Sequence, residues 1–349
     1  MTSLFKSGHF QTIDFSAEDQ VVIDDQLYGR HTITEPVLVE LLRSPALARL
    51  AGVNQHGISS LLNITPRVTR MEHSIGAFLQ VRIVGAEVDE QVAGLLHDIS
   101  HTTMSHVVDF ALSKPGEGSF HEVHKMRYVN MTRIPEILKR HGFGDLKPLD
   151  EELYPLVEQP APHLCADRLD YGLRDAVGFG QLGLKDAQEV IATLTAVPSP
   201  TSPNRLLVLP DAQLALRLAR AYMACDREVW GNTAHGDLYI RTANLMKTFI
   251  GNGSVKEEEL WTLSDAAFWA KMRQAAGAED QKAMDRLETE GLPDEKGLPL
   301  PRGAKVRTLD PDIVSASSAQ PSPLSVVLPA YAQEKQEYIR VRQALYAPA

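Results

Sequence analysis

The chain has 349 residues, of which 44% are hydrophobic and 23% charged, and its formal net charge at pH 7 is −10. This length suits one large domain or a domain with a smaller lobe. The acidic balance disfavours general binding to a nucleic-acid backbone but allows a local basic pocket for a small anion. With only Cys165 and Cys225, a disulfide framework and a zinc-finger spacing are both excluded, and a reducing compartment is expected.

Residues 1–15 lack the continuous apolar core of a signal peptide, and no run of the chain approaches about 18 consecutive apolar residues. We therefore expect an intracellular, soluble protein, cytoplasmic or nuclear, without a membrane span.

Apolar residues recur at helical spacing along most of the chain, as Met71, Ile75 and Phe78 do within 68–87. The predicted helices cover 35–52, 68–87, 88–101, one helix and part of a second within 121–142, 164–177, and 211–230 with a weaker continuation to about 250. Alternating β-branched runs are scarce, with 205–210 as the one short strand candidate. The predicted fold class is therefore all-α.

The composition changes towards the C-terminus. We predict a helical domain over 1–250 and a less regular extension over 251–349. Within the extension, 276–305 is acidic and rich in glycine and proline, 315–325 has the composition of a flexible linker, and 329–346 has the pattern of a final helix.

The stretch LLHDISHTTMSH, residues 95–106, places three histidines and one aspartate among apolar and small residues. Buried polar groups are costly unless they are paired or coordinated. On the predicted helix, His97 and His101 lie on one face, and Asp98 lies about 100° around the axis from His97. Imidazole and carboxylate ligands suit Mn, Fe, Co, Ni or Zn better than Mg or Ca.

A complete metal site needs ligands from other segments. His73 lies upstream in RVTRMEHSIG, and the downstream ADRLDYGLRD supplies Asp167 and Asp170. These residues, His97 and Asp98 would form a four-ligand set on three helices, with either later aspartate as the fourth ligand. A water bound to such a metal is a nucleophile near neutral pH.

Three spaced motifs occur in a fixed order: R-x-x-H-S-I-G at 70–76, L-L-H-D-I-x-H-x-x-x-S-H at 95–106, and D-R-x-D-Y-x-x-R-D at 167–175. This set resembles the HD-domain metal-dependent phosphohydrolases. Within them it resembles most the deoxynucleoside triphosphate triphosphohydrolase branch that includes the sterile-alpha-motif-and-HD-domain enzyme. The resemblance covers roughly residues 25–180.

The resemblance implies an HD-domain helical fold and a nucleotide substrate, most simply a dNTP cut to deoxynucleoside and triphosphate. It implies metal ligands His73, His97, Asp98 and Asp167, catalytic groups His101, His106, Asp109 and His121, and substrate-binding groups Gln55, Arg70, Arg168 and Tyr171. It implies one divalent transition metal, with a second Mg or Mn on the substrate phosphates as an option, and a homo-oligomer.

In the mechanism that we hypothesise, Arg70 and Arg168 neutralise the phosphate oxygens, because a planar guanidinium can bond two oxygens at once. His106 or His121 protonates the leaving oxygen, and Asp109 orients such a histidine.

Two residues depart from the pattern of these relatives. His56 stands where an apolar residue is more usual, and Arg168 stands where the relatives carry lysine. The alternatives are a nucleoside monophosphate phosphatase or other small-phosphoester hydrolase, a two-iron HD oxygenase, and a nucleotide-binding scaffold without turnover.

Overall fold

The computed structural model describes residues 10–114, 116–300, 304–315 and 318–346. The fold is mostly helical, with 55% of residues in helices and 10% in the strands of two small sheets. The predicted helical character is confirmed. The prediction of an all-α class is wrong for the two sheets. Their strands are only three to six residues long, and charged residues in several of them obscure the alternation of apolar side chains.

The helices follow one another along the described residues. Their bounds are α1 Pro36–Leu42, α2 Pro45–Ala48, α3 Ile58–Leu61, α4 Arg70–Ile83, α5 Val88–Leu96, α6 Val107–Leu112, α7 Phe120–Val123, α8 Lys125–Val129, α9 Ile134–Arg140, α10 Ala166–Gly178, α11 Leu184–Thr193, α12 Ala212–Cys225, α13 Thr233–Gly251, α14 Asp265–Ala275, α15 Ala278–Glu290, α16 Leu324–Val327 and α17 Pro329–Gln343. None of these helices is both long and apolar enough to cross a membrane.

Two sheets complete the described fold. The first is an antiparallel sheet of β1 Gln11–Asp14, β2 Val21–Asp25 and β3 Gly29–Ile33. The second has the order β4 Thr195–Val197, β5 Leu206–Leu209, β6 Asp312–Ser315 and β7 Ser318–Pro323. Strand β5 confirms the predicted strand at 205–210, and it pairs in parallel with β6 from the C-terminal extension.

The centre of the molecule is helix α4, which packs against α5 and α10. Its N-terminus is fixed by a capping box in which Thr69 and Glu72 exchange side-chain and backbone hydrogen bonds. Ile75, Phe78 and Leu79 are fully buried, as the apolar spacing predicts. The helix therefore holds one site-bearing face rigidly inside the core.

Helix α5 ends at Leu96, so the predicted continuation to His101 is wrong. The backbone of the following turn is held by tertiary partners instead. The Arg49 guanidinium donates to the carbonyl oxygens of Ile99 (2.6 Å) and His101 (2.7 Å), and an indole N–H donates to that of Ser100 (2.9 Å). Carbonyl oxygens that accept from side chains in this way do not accept the backbone hydrogen bonds that would continue the helix.

Other predicted helices are also divided. Region 35–52 forms α1, α2 and a 3₁₀ turn, because Pro45 begins a new helix after Ser44. Region 121–142 contains α7 apart from its first residue, followed by α8 and α9. A π-helical turn at Asp226–Trp230 separates α12 from α13, so 211–250 is not one continuous helix.

The C-terminal extension is more regular than expected. Helices α14 and α15 occupy 265–290, and α17 confirms the predicted final helix. The segment 315–325, predicted as a linker, instead contains β7 and the start of α16. Residues 316 and 317 of that segment lie outside the described residues. The boundary at 250 stays a prediction.

Candidate metal centre

Four side chains that lie far apart in the sequence converge behind α4. His73 projects from α4, His97 and Asp98 follow the last turn of α5, and Asp167 lies in the first turn of α10. His73 Nε2 lies 3.1 Å from His97 Nε2, 3.0 Å from Asp167 Oδ1 and 3.5 Å from Asp98 Oδ2. The widest separation is 3.9 Å, from His97 Nε2 to Asp98 Oδ2. Ligand atoms about 2.1 Å from a shared ion lie about 3.0–4.2 Å apart, and His73, His97 and Asp98 form a group that could hold one cation.

The tautomers of both histidines also suit a cation. His97 Nδ1 donates to the carbonyl oxygen of Gly94 at 2.8 Å, and His73 Nδ1 donates to Asp170 Oδ2 at 2.8 Å. In a neutral imidazole the other nitrogen is then an acceptor. Two acceptor nitrogens 3.1 Å apart repel each other unless a positive charge lies between them, and this is the condition that a metal ion satisfies.

Charge in the cluster points the same way. Burial opposes protonation of His73, yet hydrogen bonds to Asp167 and Asp170 raise its pKa to about 10. Burial also disfavours ionised Asp167, but hydrogen bonds from His73 and His97 hold its pKa well below the usual range. The carboxylates therefore stay ionised and stabilise positive charge at Nε2 of both histidines. Without an ion a proton supplies this charge, and a bound cation would displace that proton and leave Nε2 as the acceptor.

Helix α10 supports His73 from behind. Asp170 accepts from His73 Nδ1, from Arg174 Nε at 3.0 Å and from the Tyr28 hydroxyl at 2.6 Å. Gly76 on α4 makes room for this carboxylate, because a Cβ at that position would lie 1.8 Å from Asp170 Oδ1. This close approach explains the glycine of the R-x-x-H-S-I-G motif.

Asp98 faces a second histidine pair through its other oxygen. Asp98 Oδ1 lies 3.3 Å from His101 Nε2 and 3.8 Å from His121 Nε2. The two imidazoles stack with their centroids 3.6 Å apart. Burial lowers the pKa of His101 well below its usual value and that of His121 to about 3, so both rings are neutral proton acceptors at neutral pH.

His106 and Asp109 form a separate pair at the same end of the site. His106 Nδ1 lies 2.8 Å from Asp109 Oδ2, and the other Asp109 oxygen accepts from the Phe120 backbone N–H at 2.7 Å. The His106 ring lies 5.1 Å from that of His101. Its side chain is 41% exposed, which leaves Nε2 of a carboxylate-oriented imidazole towards solvent.

Known proteins resemble this chain along its whole length. The metal-dependent phosphohydrolase cns2 of Cordyceps militaris is 56% identical over 336 residues, which are 96% of this chain and 97% of that protein. This chain belongs to the metal-dependent phosphohydrolases. Its histidine and aspartate motifs and its helical fold are those of the HD type. No known family model matches this phosphohydrolase.

Other relatives are more distant. The deoxynucleoside triphosphate triphosphohydrolase SAMHD1 of Danio rerio is 27% identical over 177 residues, which are 44% of this phosphohydrolase and 28% of that enzyme. The crystal structure of a phosphohydrolase from Bacteroides thetaiotaomicron shares the fold, with a TM-score of 0.63, 17% identity, and coverage of 87% of this chain and 94% of that chain.

The residues predicted to bind substrate have different surroundings. Arg70 Nη1 donates to Asp98 Oδ2 at 2.6 Å, directly beside the metal ligands. Gln55 is buried next to it, and its side-chain oxygen has no hydrogen-bond partner among the described residues. The Tyr171 ring lies 6.2 Å from that of His73. Arg168, in contrast, turns towards the loop before α10 and donates to the carbonyl oxygen of His163 at 2.6 Å.

The helical geometry predicted from the spacing of HDISH is wrong. His97 and His101 do not lie on one helical face, because α5 ends before them and the turn directs them to opposite oxygens of Asp98. Residues 97–109 are not one helix either, since Met104 and Ser105 have positive φ angles of 62° and 46°. The turn is thus what separates a metal-facing histidine from a proton-accepting one.

Sequence reasoning missed several residues around the site. His56 donates to or accepts from Asp175 at 2.9 Å, and Trp230 Nε1 donates to the second Asp175 oxygen at 2.7 Å. The hydroxyl of Tyr222 bonds that of Tyr171. His56 did stand out as a departure from the relatives, but its partner lies 119 positions away, and nothing local in the sequence indicates the pairing.

Proposed function

We propose that this phosphohydrolase hydrolyses nucleotides, and that a dNTP cut to deoxynucleoside and triphosphate is its reaction. The metal ligands in this proposal are His73, His97, Asp98 and Asp167. The observation that carries it is the convergence of two imidazoles and ionised carboxylates with separations of 3.0–3.9 Å, and with both outer imidazole nitrogens already engaged.

A bound divalent cation would polarise a phosphate oxygen and lower the pKa of a coordinated water. Asp170 and the Gly94 carbonyl oxygen orient the two imidazoles. Arg70 keeps Asp98 ionised through its 2.6 Å hydrogen bond and carries positive charge towards the substrate.

Proton transfer is assigned to the histidines on the far side of Asp98. His101 and His121 are neutral, so each can accept a hydrogen bond from the attacking water. The more exposed His106, oriented by Asp109, donates a proton to the leaving oxygen. Arg168, Tyr171 and Gln55 are assigned to substrate binding, with the free Gln55 oxygen as an acceptor for a sugar hydroxyl.

A single experiment separates this reaction from a small-phosphoester hydrolase. The purified protein, with its metal content measured, is incubated with a mixture of dNTPs and nucleoside monophosphates. Release of triphosphate with free deoxynucleoside supports the proposal. Release of orthophosphate from monophosphates alone would favour the phosphatase alternative.

A second cation is a further candidate, because Asp98, His101 and His121 form a second group whose ligand atoms lie within 4.8 Å of one another. This group shares Asp98 with the first. A stoichiometry of two metals per chain would replace the proton-accepting role of His101 and His121 with metal binding. One metal per chain would favour the roles given above.

A further inference from the structure

The two arginines predicted for phosphate binding are largely committed to the protein itself. Each nitrogen of the Arg70 guanidinium has an acceptor, namely Ser105 Oγ at 3.1 Å, Asp98 Oδ2 at 2.6 Å and the Gln55 carbonyl oxygen at 3.5 Å. Arg168 Nη1 and Nη2 donate hydrogen bonds to acceptors within residues 158–165. An anionic substrate needs donors that such arginines supply only in part.

A third arginine, Arg307, reaches the same region from the C-terminal extension. Its closest acid is Asp226, with Nη1 to Oδ1 at 3.9 Å. Among the described residues its guanidinium makes no hydrogen bond, although its side chain is only 31% exposed. Its five donors are therefore available in a partly enclosed position.

Arg307 lies close to the aromatic side of the site. Burial raises the pKa of Tyr171, Tyr222 and Tyr239, and in each case the charge of Arg307 counteracts part of that rise. Tyr171 is also the tyrosine whose ring lies beside His73. The contacts locate the cation as well: Arg307 lies 3.9 Å from Asp226, four residues after Tyr222, whose hydroxyl bonds that of Tyr171.

The segment that carries Arg307, residues 304–312, is anchored on both sides of it. Asp310 N donates to the Pro162 carbonyl oxygen at 2.9 Å, and Asp312 Oδ2 lies 3.3 Å from His163 Nδ1. Near its other end, the Ala304 carbonyl oxygen accepts from Tyr346 at 2.7 Å. The first pair of anchors joins the segment to the loop that precedes Asp167.

We propose that residues 304–312 form a strap beside the metal centre and that Arg307 binds a phosphate group of the nucleotide, with its unused guanidinium donors. The assignment rests on the proposed nucleotide hydrolysis. It adds a specificity-determining residue from a part of the chain outside the three motifs. His73, His97, Asp98 and Asp167 would hold the cation that binds one phosphate, and Arg307 binds negative charge farther from that site.

The chemistry favours an anion over a neutral group. A guanidinium that is desolvated without hydrogen bonds loses hydration that a planar phosphate edge restores through two parallel bonds. Asp226 does not provide this at 3.9 Å, and its Oδ1 itself lacks a hydrogen bond. In a protein of net charge −10, such a local cation is also what allows a polyanionic ligand to approach.

The test compares Arg307→Gln with wild type in the full chain, with Arg340→Gln as control. Arg340 lies on α17, also in the extension, and pairs with Glu337 at the surface. The probes are inorganic tripolyphosphate and 2′-deoxyadenosine, measured by calorimetry with the metal-loaded protein. We expect Arg307→Gln to weaken tripolyphosphate binding about 10-fold or more, to leave deoxyadenosine within about 2-fold, and to retain the metal.

Arg307→Lys should recover part of the tripolyphosphate affinity, because lysine keeps the charge but not the planar fork. On an accepted nucleotide, Arg307→Gln should raise KM more than it lowers kcat. Unchanged tripolyphosphate affinity, or an equal loss for tripolyphosphate and deoxyadenosine, would overturn the assignment. Because binding is measured without turnover, failure of the proposed hydrolysis would appear separately, as wild-type binding without product.

Discussion

Two buried ionic clusters meet at His73, and they differ in the source of their positive charge. On the Nδ1 side, Asp170 and Asp25 are paired with Arg174, whose Nε and Nη2 lie 3.0 and 2.8 Å from them. On the Nε2 side, Asp98 and Asp167 face two imidazole acceptors. The first cluster contains its own cation and is structural, whereas the second has acceptors that a metal ion would satisfy.

The contrast shows how a bound ion can be inferred from a fully buried group of acids. Acidic side chains alone do not indicate a metal, because Arg174 can neutralise them as well as an ion can. What distinguishes the Nε2 side is that the outer nitrogens of His73 and His97 are already bonded to Asp170 and Gly94. These bonds orient both imidazole rings so that their Nε2 atoms point towards the same position.

The largest expected effect is on the stability that the Arg174 cluster provides, because this cluster contains its own cation. Arg174→Met leaves Asp25 and Asp170 as buried carboxylates without their cation, and the free energy of unfolding should fall by about 3–5 kcal/mol. Urea denaturation measures this. The control Arg220→Met removes an exposed pair with Glu334 and should change stability by less than about 1 kcal/mol. Similar small losses in both variants would mean that Arg174 does not neutralise the cluster.

On the metal side, Asp98→Asn should act on activity. Turnover should fall about 10²–10³-fold, equivalent to about 3–4 kcal/mol in the barrier, together with the metal content. Elemental analysis and product release measure the two effects on the same preparation. Asp285→Asn, at a surface pair with Arg273, serves as control. A D98N protein with full metal and full activity would disprove the metal centre.

A third arrangement sharpens the comparison, because His235 is buried with a hydroxyl partner, Ser59 Oγ at 2.9 Å, rather than a carboxylate. Burial lowers its pKa to about 4, below the unfolded value of about 6.5. Between these values only the unfolded chain binds the proton, so stability falls as the pH falls from 6.5 towards 4. The loss reaches about 3 kcal/mol below pH 4.

Denaturation curves at several pH values test this expectation. His235→Gln should remove this part of the acid destabilisation while the rest of the pH profile remains. If wild type and H235Q lose the same stability between pH 6.5 and 4, the imidazole is already charged in the folded state and the hydroxyl environment does not keep it neutral.

The smallest effect tests whether the two clusters communicate. Asp170→Asn weakens the support of His73 Nδ1, and metal affinity should fall about 10–100-fold. Asp25→Asn is the matched control, because Asp25 also pairs with Arg174 but does not contact His73. Metal titrations of the folded variants measure the difference. Equal metal affinities in D170N and D25N would show that support of the imidazole does not matter.

Local signals explain what the sequence could predict. Helix α4 was predictable because Met71, Ile75 and Phe78 repeat at helical spacing, and α10 because its apolar residues alternate with the D-R-x-D-Y charges. The four proposed ligands were predictable because their residue types occur in a distinctive order. The short strands β1–β3 were missed, since charged residues such as Asp24 and Arg30 interrupt the alternation.

Tertiary partners explain the rest. The end of α5 could not be predicted, because Arg49 donates to the carbonyl groups of Ile99 and His101, which lie 50 and 52 positions downstream. Arg307 lies in a segment without helical or strand periodicity, and its position near Asp226 depends on long-range anchors such as that of Asp310 to Pro162. Long-range contacts of this kind have no local signature.

The hydrogen bond from Tyr28 to Asp170 joins residues that are 142 positions apart. A fragment that began after Ile33 would retain all four proposed ligands but lose the phenol and the Asp25 carboxylate that hold α10 against α4. Ligand pre-organisation in this protein therefore depends on the docking of the sheet β1–β3 against α4 and α10.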